Sequence, residues 1–231
     1  MGLFQYKPDG GCGGCHARGG GNAQKKANLA VFVSGGGTNL QTILDALDAR
    51  TLRRVRLALV LASTSKAYAL ERAKKAGVPY EVVLEKQAGG QVGDFATRLL
   101  NTLAFYEIDL IFLGGYLKKI PQEVVQKYAG RIANIHPTLL PKYGGPGMYG
   151  LAPHEAVLAA KEPMTGATVH YVNENFDDGD ILLQKEVPVM AGDTPPILQA
   201  RVMKEGEHVI VPQAIQLMAD RFLGLENKEE S

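Results

Sequence analysis

The 231-residue chain predicts an α/β fold, a doubly wound, mostly parallel sheet with an added antiparallel hairpin. Three observations predict it. Short continuous apolar runs alternate with amphipathic helical stripes, the pattern of strands buried on both faces. A glycine-rich turn joins the first such run to the first helix. Beyond residue 165, two strand-length runs are joined by an acidic turn, which reads as a hairpin.

Residues 1–27 are expected to form a flexible Gly-rich tail, 28–225 the folded domain and 226–231 a charged end. Within the tail, Cys12-Gly-Gly-Cys15-His16 matches a haem-attachment pattern, but a flexible, unexported tail points instead to adventitious metal binding or thiol oxidation. The 25 basic and 24 acidic residues balance, which argues against nucleic acid or a membrane surface as partner. No apolar run approaches the ~20 residues that span a bilayer. Residues 1–11 carry no basic-then-apolar signal pattern, and both cysteines lie in the tail. A cytoplasmic protein without structural disulfides is expected.

The elements follow in order. Residues 29–33 form a buried strand. Ser34-Gly35-Gly36-Gly37-Thr38-Asn39 comes next, then a helix with Leu40, Ile43, Leu44 and Leu47 on one face. Thr38 with Gln41 reads as a capping box. Backbone N–H groups and the helix dipole at this turn make an anion site, although neither a Walker loop nor G-x-G-x-x-G is present. Strands are expected at 57–62, 82–84 and 110–113, and a helix over 69–76 stopped by Gly77 and Pro79. Residues 86–91 read as a loop. Val92, Phe95, Ala96, Leu99, Leu100 and Leu103 form a helical core stripe. After a long loop, a helix spans 155–160. Residues 166–172 alternate an apolar face (Ala167, Val169, Tyr171) with a polar one (Thr168, His170). An acidic turn, a strand over 181–189 and a mostly helical 197–223 complete the domain.

The chemistry centres on Ala133-Asn134-Ile135-His136-Pro137. In a strand, Asn134 and His136 share one face, and Pro137 ends the ladder. A carboxylate beside His136 would raise its pKa and keep it protonated near neutrality. An amide donor with an imidazolium suits stabilising an oxyanion while moving a proton, which is acyl transfer. The glycine turn, Gly114-Gly115-Tyr116 and Asn134–His136 all fall at strand carboxyl ends, where open α/β sheets bind ligands. His170 is a candidate supporting residue. His154 reads as a helix-start residue and His208 as an exposed helix residue, and no cluster has zinc spacing.

Ser34-Gly35-Gly36-Gly37-Thr38-Asn39-Leu40, then Asn134-Ile135-His136-Pro137-Thr138-Leu139-Leu140-Pro141, then Asp177-Asp178-Gly179 together resemble the phosphoribosylglycinamide formyltransferase family, over roughly 28–223. The resemblance implies a Rossmann-like formyltransferase fold and transfer of the formyl group of 10-formyltetrahydrofolate, as co-substrate and without metal, to the amine of glycinamide ribonucleotide in purine synthesis. It implies that Gly37, Thr38, Asn39 and Glu207 hold the ribonucleotide. Leu117, Lys118, Lys119, Ile120 and Asn134 would meet the folate. Asn134, His136 and Asp177 would be catalytic, with Asp177 paired to His136. The implied partners are small molecules only, for a monomer or homodimer. The sequence departs from the family pattern in three places: 144–151 reads as an insertion, the stretch before Glu207 is one residue longer, and Val92 stands where an arginine is common. Two other readings remain: a formyltransferase for another amine, such as an aminoacylated tRNA, or a non-catalytic phosphate-ligand sensor on the same scaffold.

Overall fold

The computed structural model describes residues 25–85 and 95–225. The expected tail, the 86–91 loop, Val92 and the charged end therefore lie outside the described residues, apart from 25–27 at the tail's edge. A seven-stranded sheet has the order β3-β2-β1-β4-β5-β6-β7. Its strands are β1 (Ala27–Val33), β2 (Val55–Ala62), β3 (Tyr80–Val82), β4 (Leu110–Leu113), β5 (Ile132–His136), β6 (Met164–Tyr171) and β7 (Ile181–Pro188). The first five pair in parallel. β6 and β7 add antiparallel to β5 and to each other. The doubly wound sheet and its hairpin are thus both present.

The helices are α1 (Thr38–Asp48), α2 (Ala69–Lys75), α3 (Phe95–Phe105), α4 (Gln122–Lys127), α5 (Ala152–Ala159), α6 (Pro195–Arg201) and α7 (His208–Phe222). They bury apolar stripes on both sheet faces. Leu40, Ile43, Val211, Ile215 and Met218 pack with Val31, Val60 and Phe112 on one side. Leu99, Leu103 and Val124 pack with Phe32, Leu59 and Ile111 on the other. That is why the central strands read as unbroken apolar runs rather than alternating ones.

Three local expectations are corrected. β3 begins at Tyr80 and ends at Val82, two residues before the apolar triplet suggested, because its pairing with Val60–Ala62 sets its register. No capping box forms at α1. Gly37 is the N-cap at φ 71° with no side-chain cap bond, and Gln41 instead donates to Asp45. The face of β6 that carries Thr168 and His170 is polar as expected and also buried, because the loop after β5 and the turn after β6 cover it. His208 is half-buried rather than exposed.

Between α6 and α7 the chain widens into a π-helical segment, Val202–Glu207. Gly206 rests on β6 and β7 there: an added Cβ would lie 3.1 Å from the Ala167 side chain and 3.3 Å from that of Val187. Absence of that Cβ lets the segment approach the sheet closely. It ends with Glu207 buried and facing α1.

Candidate active site

A cavity of about 370 Å³ opens along the carboxyl ends of β4 and β5. Its wall includes Asn39, the segment Gly115–Ile120, Asn134, His136, His154, His170, Asp177 and Glu207. Short, apolar β5 places Asn134 and His136 two apart, and the strand ends at His136, immediately before Pro137. The β6–β7 turn carries Asp177, at φ 51°, back over the β5 end.

Asp177 is the hub. Its Oδ2 lies 3.4 Å from His136 Nδ1 and accepts the Gly145 N–H at 2.9 Å. Its Oδ1 lies 3.5 Å from His170 Nε2 and accepts from Asn134 Nδ2 at 3.4 Å. Burial pushes the Asp177 carboxyl up, but His170, His136 and the Gly145 N–H together outweigh it and hold the group below its ordinary value. It is an anion at neutral pH.

His136 Nε2 donates to the Tyr143 carbonyl at 2.8 Å. Burial pushes its pKa down, and the Asp177 charge and the Tyr143 bond only partly offset this, so the value falls below the ordinary one. The sequence-based expectation of a raised pKa is overturned. It weighed the neighbouring carboxylate and could not see that His136 is 3 % exposed and shares Asp177 with His170. His170 Nδ1 donates to the Tyr171 carbonyl at 2.9 Å, which leaves Nε2 to accept from Asn134 Nδ2 at 3.2 Å. The bonds holding the Asn134 amide are long, so it can turn a donor toward a ligand.

Asn39 and Glu207, 168 residues apart, meet through an Asn39 Nδ2 bond to Glu207 Oε2 at 2.7 Å. Burial pushes the Glu207 carboxyl up, against the lowering effect of Asn39. Gly37 and Thr38 stand behind Asn39 and do not line the cavity. On the opposite wall, Leu117 spends its N–H on Ser34 Oγ at 2.8 Å. Lys118 pairs with Glu85 at 3.2 Å, and Lys119 lies 5.5 Å from the Phe176 ring. Asp178 accepts from Asn175 in the turn and takes no part in the hub.

Sequence reasoning missed three participants. The Tyr143 carbonyl and the Gly145 N–H are backbone groups of a glycine-rich loop, invisible to residue-type arguments. His154 is fully buried with neither ring nitrogen bonded among the described residues, and burial pushes its pKa down to about 4. Its place three residues into α5 was legible, but its burial was not. Among the described residues, no group of three or more His, Cys, Asp or Glu could hold a metal ion.

An open parallel sheet carries an Asn–His–Asp cluster on its rim beside a glycine turn, and the comparisons place a chain of this fold in a known family. A family model described as Formyl transferase matches residues 27–215. Phosphoribosylglycinamide formyltransferase of Haemophilus influenzae is 38% identical over 201 residues, covering 86% of this chain and 90% of the relative. The crystal structure of glycinamide ribonucleotide transformylase 1 from Symbiobacterium toebii superposes with a TM-score of 0.78 at 36% identity, covering 85% of this chain and 89% of that one. The chain belongs to the formyl transferase family, in its phosphoribosylglycinamide formyltransferase branch. It spans 62% and 65% of the length of the chloroplastic relatives from Vigna unguiculata and Arabidopsis thaliana, at 37% and 38% identity. It also aligns, at 37% identity, with 19% of the human trifunctional purine biosynthetic protein adenosine-3.

Proposed function

We propose that residues 28–225 form a catalytic unit that transfers the formyl group of 10-formyltetrahydrofolate to the amine of glycinamide ribonucleotide, a step of purine synthesis in the cytoplasm. The observation that carries this is the hub in which one Asp177 carboxylate meets His136, Asn134 and His170 on the wall of a cavity. A phosphate sensor has no use for that constellation. A tRNA-directed enzyme would want a basic surface, and the net charge here is +1.

In the proposed reaction the amine nitrogen attacks the formyl carbon, and the carbonyl electrons move onto oxygen. Asn134 turns an amide N–H to that oxyanion, and the His136 Nε2–H, released from the Tyr143 carbonyl, is its second donor. A water beside Asp177 passes the amine proton to His136, whose imidazolium the Asp177 carboxylate favours, and His136 gives that same proton to the folate nitrogen as its bond to the formyl carbon breaks and the oxyanion collapses to the carbonyl. Asn39 and Glu207, with the Gly37–Thr38 turn behind them, hold the ribonucleotide. Leu117 contributes apolar surface to the folate side, while Lys118, Lys119 and Ile120 keep their backbone groups for the pterin. The partners are small molecules alone, and the reading requires no second subunit.

A spectrophotometric formyl-transfer assay with both substrates, run beside His136→Ala, tests the reading. Turnover in the native protein that disappears in the variant supports it. No turnover with this amine, but turnover with another, reassigns the acceptor. No turnover with any amine returns the sensor reading.

A further inference from the structure

The glycine turn is held from outside the cavity, and one side chain on α2 holds its middle carbonyl. Arg72 Nε donates to the Gly36 carbonyl at 2.8 Å, and its Nη1 donates to Gln41 Oε1 at 2.8 Å. The guanidinium also lies 5.3 Å from the Tyr68 ring centroid. The Ala69 N–H donates to the Gly35 carbonyl at 3.1 Å, and the Gln41 N–H to the Gly37 carbonyl at 2.9 Å. Gly37 is left-handed, and a Cβ on it would sit 2.6 Å from that of Ala69. Only glycine can lie that close to the start of α2.

All three carbonyls of Gly35, Gly36 and Gly37 are therefore claimed by α1 and α2. In a trans peptide the C=O and the following N–H point in opposite directions. Pinning these carbonyls outward turns the N–H groups of Gly36, Gly37 and Thr38 the other way. Neither the Gly36 nor the Gly37 N–H has a hydrogen-bond partner among the described residues. A run of glycines has no intrinsic reason to keep this orientation, since a peptide plane without side chains flips at little cost. A flipped Gly36–Gly37 plane would present a carbonyl oxygen to an anion instead of a donor.

We propose that Arg72 is the positioning residue of the phosphate cradle: its Nε bond to the Gly36 carbonyl fixes the peptide plane that aims the Gly37 N–H at the ribonucleotide phosphate. The inference rests on the function proposed above. It assigns Arg72 no contact with substrate.

The test uses amide NMR and kinetics on the native protein, Arg72→Ala and Arg72→Lys. Titration of the native protein with inorganic phosphate should shift the Gly36 and Gly37 amide signals to saturation. Arg72→Ala should weaken that binding and raise KM for the ribonucleotide about tenfold, the size of losing one charge-assisted bond. Its kcat and folate KM should stay within about twofold. Arg72→Lys keeps the charge but lacks the planar fork that meets the Gly36 carbonyl and Gln41 together, so it should fall between. Equal KM changes for both substrates, or unchanged phosphate affinity in Arg72→Ala, would overturn the assignment. So would a native protein whose two amides ignore phosphate. If those amides do respond but no formyl transfer occurs, the reaction assignment fails, and the phosphate affinities of the variants still decide the role of Arg72.

Discussion

Asp177 shows how little a residue's type says without its neighbours. As a sequence letter it is one of four acids in the turn between β6 and β7. In the structure it joins two imidazoles, one amide and one backbone N–H. Asp177→Asn keeps the shape but loses the charge, so turnover should fall by orders of magnitude while substrate binding persists. Pre-steady-state and binding measurements on that variant check it. Turnover near the native rate would remove Asp177 from the mechanism. His154 allows a second prediction at this level. Its folded pKa of about 4 lies below the unfolded value of 6.5. Below pH 6.5 the unfolded chain takes up a proton that the folded one refuses. The stability this group contributes is complete above 6.5 and is lost as pH falls toward 4. The loss is on the order of 3 kcal/mol. His154→Leu, apolar and of similar size, should resist acid better than the native protein. Denaturant unfolding of both at pH 7 and pH 5 measures the difference, and equal pH slopes would refute it.

Among the elements, the turn between β6 and β7 is the most tightly specified. A Cβ on Gly179 would fall 1.7 Å from the Tyr171 carbonyl oxygen, a backbone atom that cannot step aside. Gly179→Ala should cost roughly 2–4 kcal/mol in urea unfolding and reduce turnover by dragging Asp177 off His136. A variant with native stability and activity would contradict this packing. The π-helical segment works in the opposite sense: its extra width is permitted because Gly206 lies flat on β6. Neither device could be read from periodicity. Glycine in a turn and glycine in a helix look alike in sequence whether or not a backbone passes within contact distance. The absent capping box makes the same point, since Thr38 and Gln41 have the right spacing but Gln41 is engaged by Asp45 and Arg72.

For the whole molecule, the sheet separates stability from chemistry. The parallel strands β1 and β4 deliver the glycine turn and the Gly115–Ile120 wall, while the antiparallel pair delivers His170 and Asp177. β5 lies between the two halves and carries Asn134 and His136. The core under α3 reaches the cavity wall at Tyr116 and Ile120, but Leu99 does not line it. Leu99, fully buried there, should cost about 2–5 kcal/mol when changed to alanine, with both KM values unchanged. Thermal unfolding beside steady-state kinetics tests that, and a selective rise in either KM would show that the core and the site are coupled.

The amino-acid sequence by itself determined the layer architecture, because apolar runs of strand length and stripes of helical period have only one economical way to bury their surfaces. It also determined the Asn134–His136 pair, since two residues on one strand share a face wherever that strand goes. Contacts across long separations were decided by tertiary structure alone. These are Asn39 with Glu207, Asp177 with two histidines, and Arg72 with the Gly36 carbonyl. So was the lowered pKa of His136, because desolvation depends on what covers a group, and no local pattern of residues encodes its cover.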